Sequence, residues 1–543
     1  MSVPDSLARA VLACLVVCAA TPLVGATAPN ATDADRHAPR IVGAVPKPVA
    51  DGDAGEFVVV RLPDAGNWSL ADGEDTLSLP SDRPAAVVAV SADPNATREL
   101  VSVPVVAVPG LALSNAGERL RLRRDGTVVD TLVYRDAPEG ERLVRTDAGT
   151  AWRPVGLSPR DVHAFGHATV RGFLLPDDPG VAVETIRSAD ERILLAGYTF
   201  TSERVADALL AADRRGLDVR VLLESTPVGG LSAREARLLD RLVAGGVAVT
   251  VLGGPRARFA FHHAKYAVVD DRALVTTENW KPAGVGGRSS RGWGVVVDSS
   301  PVAADLASLF AHDAAGPDAI PWAHYRRGRA FDAAPPAKGS YPSRFDPTAA
   351  SARRVRVLTA PGNAESAVVG VVDAADDRVD VIQPTIDRRH GPLLRATVRA
   401  AERGVRVRIL LSGAWYDAEE NRALVDSLDR LADRRDLPLS ARVADPHGRF
   451  EKIHAKGVVA DDVVVVGSLN WTENAVSNNR EVALAVRSEA LASYFRRAFE
   501  SDWSGGSGPG WVLVAGAVAA ILLAGLVARR TLSFDGDAPG RRR

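Results

Sequence analysis

A short pattern, His-x-Lys-x4-Asp, occurs twice in this 543-residue chain, and its two histidines are separated by 191 residues. Each copy is followed at the same distance by an asparagine and a tryptophan. The matched positions are His263, Lys265, Asp270, Asn279 and Trp280 in the first copy, and His454, Lys456, Asp461, Asn470 and Trp471 in the second. A duplicated set at matched spacing predicts two related halves whose imidazoles share one site. Cationic and amide donors around two imidazoles suit a phosphate group.

Lysine is rare in this chain, which makes the two motif lysines informative. The chain has 66 basic residues, and only six of them are lysines. Both copies of the motif nevertheless keep lysine, at Lys265 and Lys456. An ammonium is a compact point charge, whereas a guanidinium is a planar fork. The two positions therefore favour a point charge.

The duplicated motif resembles that of the phospholipase D superfamily, whose members carry HxK(x)4D twice, each time followed by G-S-x-N. The second copy matches throughout, with Gly467, Ser468 and Asn470 in the family positions and Glu481 further on. The resemblance implies a phosphodiesterase or phosphatidyltransferase that works through a covalent phosphohistidine.

The first copy departs from the family pattern at three positions. Thr276 and Thr277 stand where Gly and Ser are usual, and Gly292 stands opposite Glu481 after a two-residue insertion. Thr277 keeps a hydroxyl that can donate to phosphate, whereas Gly292 offers no side chain. We therefore expect Glu481 to orient His454, and Gly292 to leave His263 without an equivalent partner.

The similarity between the halves extends beyond the motifs. Residues 192–200 and 208–225 parallel residues 378–386 and 397–413: β-rich apolar runs are followed by Ala/Leu/Arg stretches that reach Arg-Gly and lead into a further apolar run. This pattern predicts strand, helix, glycine cap and strand. It indicates an α/β fold of mostly parallel, buried strands.

We therefore predict two pseudo-symmetric phospholipase D-like α/β halves, residues 172–328 and 350–504, that form one active site. The two His-x-Lys pairs are expected to fall on strands at 264–269 and 455–459, where alternation places His and Lys on one face. His262 is expected to point to the opposite face and to pack. Asp270 and Asp461 are expected to support the local fold.

A separate unit is predicted before the repeats, at residues 38–166. Short alternating strands, such as 57–61, 119–123 and 128–134, and an Asp125-Gly126 turn favour a small β-sandwich. The order of these segments resembles that of a lamin-tail domain, which has an immunoglobulin-like fold. The unit is interpreted as a binding or spacer module.

The two ends of the chain contain segments that predict secretion and membrane anchoring. Residues 1–28 have the layout of a secretory signal peptide and contain the two cysteines, so the mature chain would have neither disulfides nor thiol catalysis. Residues 511–528 form an uncharged run long enough to cross a bilayer, and the arginine-rich tail 529–543 belongs on the cytoplasmic side. These features predict an extracellular ectodomain on a single-pass anchor.

The chemistry of the motif residues suits phosphodiester hydrolysis or transfer. One histidine would attack phosphorus and the other would protonate the leaving oxygen, which predicts a bell-shaped pH profile. The family favours His263 as nucleophile and His454 as acid, although the expected contact of Glu481 with His454 favours the reverse. The groups expected to hold the phosphoryl oxygens are Lys265, Lys456, Asn279, Asn470, Ser468 and Thr277.

Two other functions stay open. A net charge of −1 gives no basic field for nucleic acid. An extracellular nuclease could still use the same site, with Arg256, Arg258 and Arg288 as candidate groove residues. A non-catalytic surface protein with a decayed first half-site is the third possibility. The expected partners are a phospholipid or another phosphodiester, and neither a metal nor another cofactor is expected, because no cluster has metal-ligand spacing.

Overall fold

The computed structural model describes residues 38–79, 86–98, 100–146, 149–156, 160–387 and 391–505. The predicted signal peptide (1–28), membrane segment (511–528) and tail (529–543) lie outside these described residues. Within the ranges above, no helix combines the length and hydropathy needed to cross a bilayer.

The N-terminal unit is built from two antiparallel-rich sheets. Its elements are β1 (Arg40–Val45), a 3-10 turn (Asp51–Asp53), β2 (Phe57–Leu62), β3 (Trp68–Ala71), β4 (Thr76–Ser78), β5 (Ala86–Ser91), α1 (Pro94–Arg98), β6 (Val105–Ala107), β7 (Gly117–Arg124), β8 (Thr127–Arg135), β9 (Glu141–Thr146) and β10 (Gly149–Pro154). The strand orders are β10-β9-β1-β2-β5-β6 and β4-β3-β7-β8.

One hydrophobic core joins these two sheets. Val58 and Val60 of β2 pack in the same buried cluster as Leu120 and Leu122 of β7. Asp125 and Gly126 both have positive φ, which forms the tight β7–β8 turn. The N-terminal unit therefore has two sheets that share one core, with a tight hairpin in the second sheet. An immunoglobulin-like or lamin-tail assignment stays a prediction.

The first of the two repeated halves follows the N-terminal unit in the chain. Its elements are β11 (Ala164–Phe165), β12 (Ala168–Leu175), α2 (Val181–Arg187), β13 (Arg192–Gly197), α3 (Glu203–Arg214), β14 (Asp218–Glu224), α4 (Ala233–Ala244), β15 (Ala248–Leu252), β16 (Tyr266–Val269), β17 (Arg272–Thr276), β18 (Ser290–Asp298), α5 (Ser300–Ala314), β19 (Ala319–Pro321) and α6 (Trp322–Tyr325). Most of these strands form a sheet of order β19-β15-β14-β13-β16-β17-β18-β12-β20, in which β20 (Thr348–Ala352) comes from the second half.

The second half has its own sheet. Its elements are β20 (Thr348–Ala352), β21 (Arg354–Ala360), α7 (Ala364–Asp373), β22 (Arg378–Gln383), α8 (Pro392–Glu402), β23 (Arg406–Leu411), α9 (Ala418–Arg435), β24 (Leu439–Val443), β25 (Lys452–Ile453), β26 (Gly457–Ala460), β27 (Val463–Gly467), α10 (Glu473–Ser477), β28 (Glu481–Arg487) and α11 (Glu489–Trp503). The sheet order is β11-β21-β28-β27-β26-β22-β23-β24. Its part from β21 to β24 repeats the order of the first-half sheet from β12 to β15.

The expectation of mostly parallel strands is wrong. β13, β14 and β15 are parallel, as are β22, β23 and β24, but the strands that follow the motifs continue each sheet antiparallel. The cause is a tight turn at each motif aspartate, because Asp270 and Asp461 have φ of 52° and 48° and start hairpins. The predicted glycine caps are confirmed, with positive φ at Gly216 and Gly404 after α3 and α8.

The two halves share a core between their sheets. Trp293 of β18 stacks on Phe495 of α11, with ring centroids 4.5 Å apart. Both rings are fully buried in a cluster that includes residues of both sheets, such as Val295 and Val482. This contact surface sets the relative position of the two motifs.

Candidate active site

The two motif histidines lie where each half contacts the other. The backbone N–H of His263 donates to the carbonyl of Arg480 at 2.9 Å, and the N–H of His454 donates to the carbonyl of Arg291 at 3.0 Å. The expected placement of the His-x-Lys pairs on strands is wrong, because β16 and β26 begin only after the lysines. The histidine segments instead pair with the start of a strand in the other half, as β25 does with β18.

His263 is held by a carboxylate of the second half. Its Nδ1 lies 2.9 Å and 3.0 Å from the two carboxylate oxygens of Glu481, which is fully buried. The expectation that Glu481 orients His454 is therefore wrong. The reason is the crossed backbone pairing: Arg480 pairs with His263, so the next residue reaches the imidazole of the other half.

His454 has a different carboxylate, which the spacing of the motifs does not reveal. Its Nδ1 lies 3.2 Å from Oε2 of Glu278, within ion-pair distance although not aligned as a hydrogen bond. Glu278 follows β17 and occupies the variable position of the T-T-E-N sequence; its counterpart in the second half is Leu469. The first copy therefore does supply a carboxylate to the site.

Gly292 makes room for this carboxylate. A Cβ atom at Gly292 would lie 2.3 Å from Cγ of Glu278 and 2.7 Å from its Oε1. The second half carries its glutamate at the position equivalent to Gly292 and a leucine at the position equivalent to Glu278. The site glutamate thus follows β17 in the first half, whereas it starts β28 in the second half. Each histidine therefore has an acidic partner.

The pKa values of the two carboxylates shift in opposite directions. Burial would raise the pKa of Glu481, but the contact with His263 outweighs it and holds this pKa below its usual value. Burial raises the pKa of Glu278 to about 7, although Lys456 and Lys281 oppose the shift. Glu481 is therefore ionised at neutral pH, and because a carboxylate only accepts, His263 carries its proton on Nδ1 and leaves Nε2 free to react.

Both histidines favour the neutral form in the protein alone. Burial lowers the pKa of His263 to about 4, although Glu481 opposes the shift. Burial and then the charges of Lys456 and Lys265 lower the pKa of His454 well below its ordinary value. His454 exposes 23% of its side chain, against 11% for His263, so it is the more accessible of the two. A bound phosphodiester is an anion and would raise the pKa of both rings.

The two motif lysines are buried and bonded alike. Nζ of Lys456 donates to the carbonyl of His454 at 2.8 Å, and Lys265 makes the same bond to the carbonyl of His263. Burial lowers the pKa of Lys456 to about 8, against the opposing charges of Glu278 and Glu481. Burial also lowers the pKa of Lys265 well below its usual value. Two buried ammonium groups of this kind would be stabilised by an anion between them.

The predicted hydroxyl and amide residues border the same site. The hydroxyl of Ser468 accepts the N–H of Val482 at 2.9 Å, and the hydroxyl of Thr277 accepts the N–H of Trp293 at 3.0 Å. Thr277 therefore replaces serine in the same bond. The Oδ1 atoms of Asn279 and Asn470 are buried, and neither has a hydrogen-bond partner within the described ranges.

Asp270 and Asp461 lie outside this group and organise the fold. The carboxylate of Asp270 accepts the backbone N–H groups of residues 190–192, and that of Asp461 accepts those of residues 376–378. Each aspartate follows a four-residue strand whose other end leads to the histidine, so it lies roughly 13 Å or more from the imidazole. The expectation that they support the local fold is therefore confirmed.

Two further expectations concern the residues around His263. His262 is fully buried, its Nδ1 is 3.4 Å from the carbonyl of Gly197, and the expectation that it packs is confirmed. Arg258, a candidate for a nucleic-acid groove, is bonded to the buried Asp318 at 2.8 Å. That guanidinium therefore has a structural partner.

Reciprocal buried ion pairs support the histidine segments. Arg480 contacts Asp313 at 3.0 Å, and Arg291 contacts Asp502 at 2.8 Å. In each pair the arginine lies on one half and the aspartate near the end of a helix of the other half, α5 or α11. All four side chains are buried, so they fix the two carbonyls that accept the histidine N–H groups.

Several functional residues were missed because their signal depends on tertiary structure. The ring of Tyr198 packs edge-on against His263, with centroids 4.8 Å apart, and Nζ of Lys265 lies 5.3 Å from the centroid of the same ring. Glu278 was visible as an acidic residue beside the motif asparagine, but only the contact with His454 gives it a role. In the part of the chain that the structure describes, no group of three or more His, Cys, Asp or Glu side chains could hold a metal ion.

Comparison with known proteins identifies the class. Residues 182–314 and 368–503 match the family described as "Cardiolipin synthase, PLD-like domain". Both segments are therefore phospholipase D-like domains of the cardiolipin synthase and phospholipase D superfamily.

Individual relatives resemble parts of the chain. A probable phospholipase D of Caenorhabditis elegans is 29% identical over 134 residues, which cover 21% of this chain and 24% of that protein. Mitochondrial cardiolipin hydrolase of Xenopus tropicalis is 30% identical over 111 residues, which cover 20% of this chain and 48% of that protein. The matches thus span less than half of either relative.

Among solved structures, phosphatidylserine synthase of Haemophilus influenzae aligns with a TM-score of 0.46 at 15% identity, over 63% of this chain and 86% of that chain. The phospholipase D family member Nuc of Salmonella typhimurium aligns with a TM-score of 0.25 at 19% identity, over 29% of this chain and 98% of that chain.

Proposed function

We propose that this protein is a phosphodiesterase that cleaves or transfers a phosphatidyl group through a phosphohistidine. The observation that carries the proposal is the pair of histidines from the two halves, each with its own buried carboxylate on Nδ1. This arrangement leaves both Nε2 atoms for chemistry. Two imidazoles with separate partners can act as nucleophile and acid in one reaction.

In the proposed first step, Nε2 of His263 attacks phosphorus and forms the P–N bond. The P–O bond to the alcohol breaks, and His454 transfers its proton to the departing oxygen. Glu481 stabilises the positive charge that develops on His263. Lys265 and Lys456 neutralise the phosphoryl oxygens, with Asn279 and Asn470 as further polar contacts.

In the second step, water or an alcohol releases the phosphoryl group. His454, now neutral, takes the proton of the incoming hydroxyl while its oxygen attacks phosphorus and the P–N bond breaks. The greater exposure of His454 suits this exchange with the incoming group. Hydrolysis and transfer differ only in which hydroxyl enters.

We also propose that the chain is anchored to the membrane, with the N-terminal unit and both halves outside the cell. The support is the sequence of residues 1–28 and 511–528. A tethered site of this kind would meet lipids of the outer surface. We propose that the N-terminal unit is a lamin-tail-like spacer or binding module.

A nuclease is the second candidate, and one assay separates the two. The full-length chain, purified in detergent, is incubated with phosphatidylcholine vesicles and separately with DNA, both in EDTA. Phosphatidate or a transfer product is expected from the lipid without added metal, because lysines provide the positive charge that divalent cations provide elsewhere. Cleavage of DNA alone would favour the nuclease, and restoration of lost activity by Mg²⁺ or Zn²⁺ would contradict the two-histidine mechanism. Intact cells should process an added membrane-impermeant diester; activity only after lysis would contradict the extracellular placement.

Above the pKa of the acid His454, the pH dependence of kcat/KM should show a further alkaline limb near pH 8. Lys456, whose pKa burial lowers to about 8, is charged below that pH and neutral above it. Loss of its charge removes a countercharge from the phosphoryl oxygens, so kcat/KM should fall as pH rises. The measurement is a kcat/KM profile between about pH 6 and 10. Lys456→Arg keeps the charge throughout this range, so its residual activity should lack the limb; an unchanged limb in this variant would contradict the assignment.

A further inference from the structure

Two equivalent loops of the repeat carry exposed hydrophobic side chains. Among the described residues, only three large hydrophobic side chains are more than half exposed: Val228 at 79%, Trp415 at 89% and Tyr416 at 51%. They lie in residues 225–232, between β14 and α4, and in residues 412–417, between β23 and α9. We call these segments the apolar loops. Because β14 and β23 have the same place in the two sheets, each half contributes one apolar loop.

Both apolar loops lie at the end of the sheets where the histidines are. β14 is parallel to β13, whereas β16, which His263 precedes, is antiparallel to β13. The end of β14 and the start of β16 therefore lie on the same side of the first sheet. In the second sheet β23, β22 and β26 are related in the same way, so the second apolar loop lies on the side of His454.

Direct contacts connect each apolar loop with a histidine segment. The backbone N–H of Val228 donates to the hydroxyl of Tyr198 at 2.6 Å, and the ring of Tyr198 packs edge-on against His263. In the second half, Nζ of Lys452 lies 5.0 Å from the ring centroid of Tyr416, and Lys452 belongs to β25, directly before the second motif. The two loops therefore border the site, one from each half.

Gly505, the last described residue, lies on the same side of the second sheet. The N–H of Ala444, which follows β24, donates to the carbonyl of Leu411 at the end of β23 at 2.8 Å. The loop that continues from Ala444 contains His447, and a Cβ atom at Gly505 would lie 2.6 Å from Nε2 of His447. Six peptide steps, which span at most roughly 22 Å, separate Gly505 from residue 511, where the proposed membrane segment starts. This anchor would keep the apolar loops near the bilayer.

The chemistry of the apolar loops favours a lipid surface over a nucleic acid. Tryptophan and tyrosine prefer the interface between lipid headgroups and acyl chains. Val228 has no ring on which a base could stack. Glu419 and Glu420 are exposed at the start of α9, close in sequence to Trp415, and would repel a polyanion. The same two carboxylates disfavour anionic lipids, so the expected surface consists of zwitterionic lipids.

We propose that the two apolar loops insert into a zwitterionic bilayer and orient the opening of the site toward it. The inference rests on the proposed function and specifies how the site meets a substrate that stays in the bilayer. Transfer of Val228, Trp415 and Tyr416 from water to the lipid surface removes apolar area from water, which stabilises the bound orientation. The anchor limits only the distance to the bilayer, whereas two inserted loops on different halves fix the orientation.

Insertion is tested with an environment-sensitive fluorophore. The mature full-length chain is reconstituted in phosphatidylcholine nanodiscs, with a nitrobenzoxadiazole label on Trp415→Cys or on Val228→Cys. At both positions the emission should shift to shorter wavelength, and lipids with a nitroxide on the acyl chain should quench it. The matched control is Val133→Cys, an exposed valine of the N-terminal unit, whose label should show neither effect. Emission that stays at its aqueous wavelength at position 228 or 415 would overturn the proposal.

Activity gives an independent measurement. The Trp415→Ser/Val228→Ser variant should lower kcat/KM for phosphatidylcholine in nanodiscs by about tenfold or more and leave kcat/KM for a water-soluble p-nitrophenyl diester unchanged. Val133→Ser should change neither value. Equal losses for both substrates would indicate a structural role, and weaker binding of single-stranded DNA with unchanged lipid turnover would indicate a nucleic-acid surface; either result overturns the proposal. Failure of the wild-type protein to process either substrate would overturn the proposed function, whereas the fluorophore still decides insertion.

Discussion

Alanine at His263 or at His454 is expected to lower kcat/KM for a phosphatidyl lipid by at least about a thousandfold, because nucleophile and acid act as one unit. Each residue is removed singly, and the double variant should lose little more than either single variant. The measurement is steady-state release of product. His167→Ala, an exposed histidine in the segment before β12, is the control that should retain wild-type activity.

The leaving group separates the two histidines. A p-nitrophenolate departs without a proton, so the loss of an acid is partly hidden with an activated diester. His454→Ala should therefore retain a burst of p-nitrophenol and accumulate a phosphoenzyme, whereas His263→Ala should show neither. If the His263→Ala variant accumulates a phosphoenzyme, His454 is the nucleophile and His263 is the acid. Wild-type rates in both variants would contradict the proposed enzymatic function.

Glu278→Ala should lower kcat/KM for a lipid substrate by about 10- to 100-fold, because His454 loses the group that orients it. The effect should shrink with the p-nitrophenyl diester, since that substrate does not need the acid. Glu481→Ala, which affects His263, should lower kcat/KM for both substrates. A purely structural role for Glu278 would reduce both activities alike.

A glutamate placed at position 292 of the Glu278→Ala variant should restore part of the lost kcat/KM. In Glu278→Ala the clash that a side chain at Gly292 would make with Cγ of Glu278 is absent. Glu278→Ala/Gly292→Glu then places a glutamate at the position that Glu481 occupies in the second half. Recovery of lipid turnover above the level of Glu278→Ala is the expected result; no recovery in a folded double variant would contradict the exchange of positions.

The sequence was sufficient for the features that depend on local pattern. The paired motifs, the strand-helix-strand repeat and the glycine caps after α3 and α8 all follow from spacing and composition, and the structure confirms the caps and the repeated strand order. The β7–β8 hairpin was predictable for the same reason, since Asp-Gly at residues 125 and 126 suits a tight turn with positive φ.

The features that depend on pairing between the halves could not be read from spacing. Alignment of the copies placed Gly292 opposite Glu481 and suggested that one histidine lacks a carboxylate. The crossed hydrogen bonds of His263 to Arg480 and of His454 to Arg291 reverse which glutamate meets which histidine. They also bring Glu278 to His454 from a neighbouring strand. Glu278 and Glu481 lie on different strands of the repeat but occupy similar places beside a histidine. The alignment of the two copies therefore does not match them with each other.

The bond between His263 and Glu481 also has a consequence during synthesis. Glu481 lies 218 residues after His263 in the chain. At ordinary rates of translation this separation corresponds to about 10–40 s. Throughout that interval the nascent chain has its first histidine without the acidic partner or the backbone contact that position it. We therefore expect the proposed catalysis to start only once almost all of the second half has emerged. Chains that terminate before Glu481 are expected to have no catalytic activity in the cell.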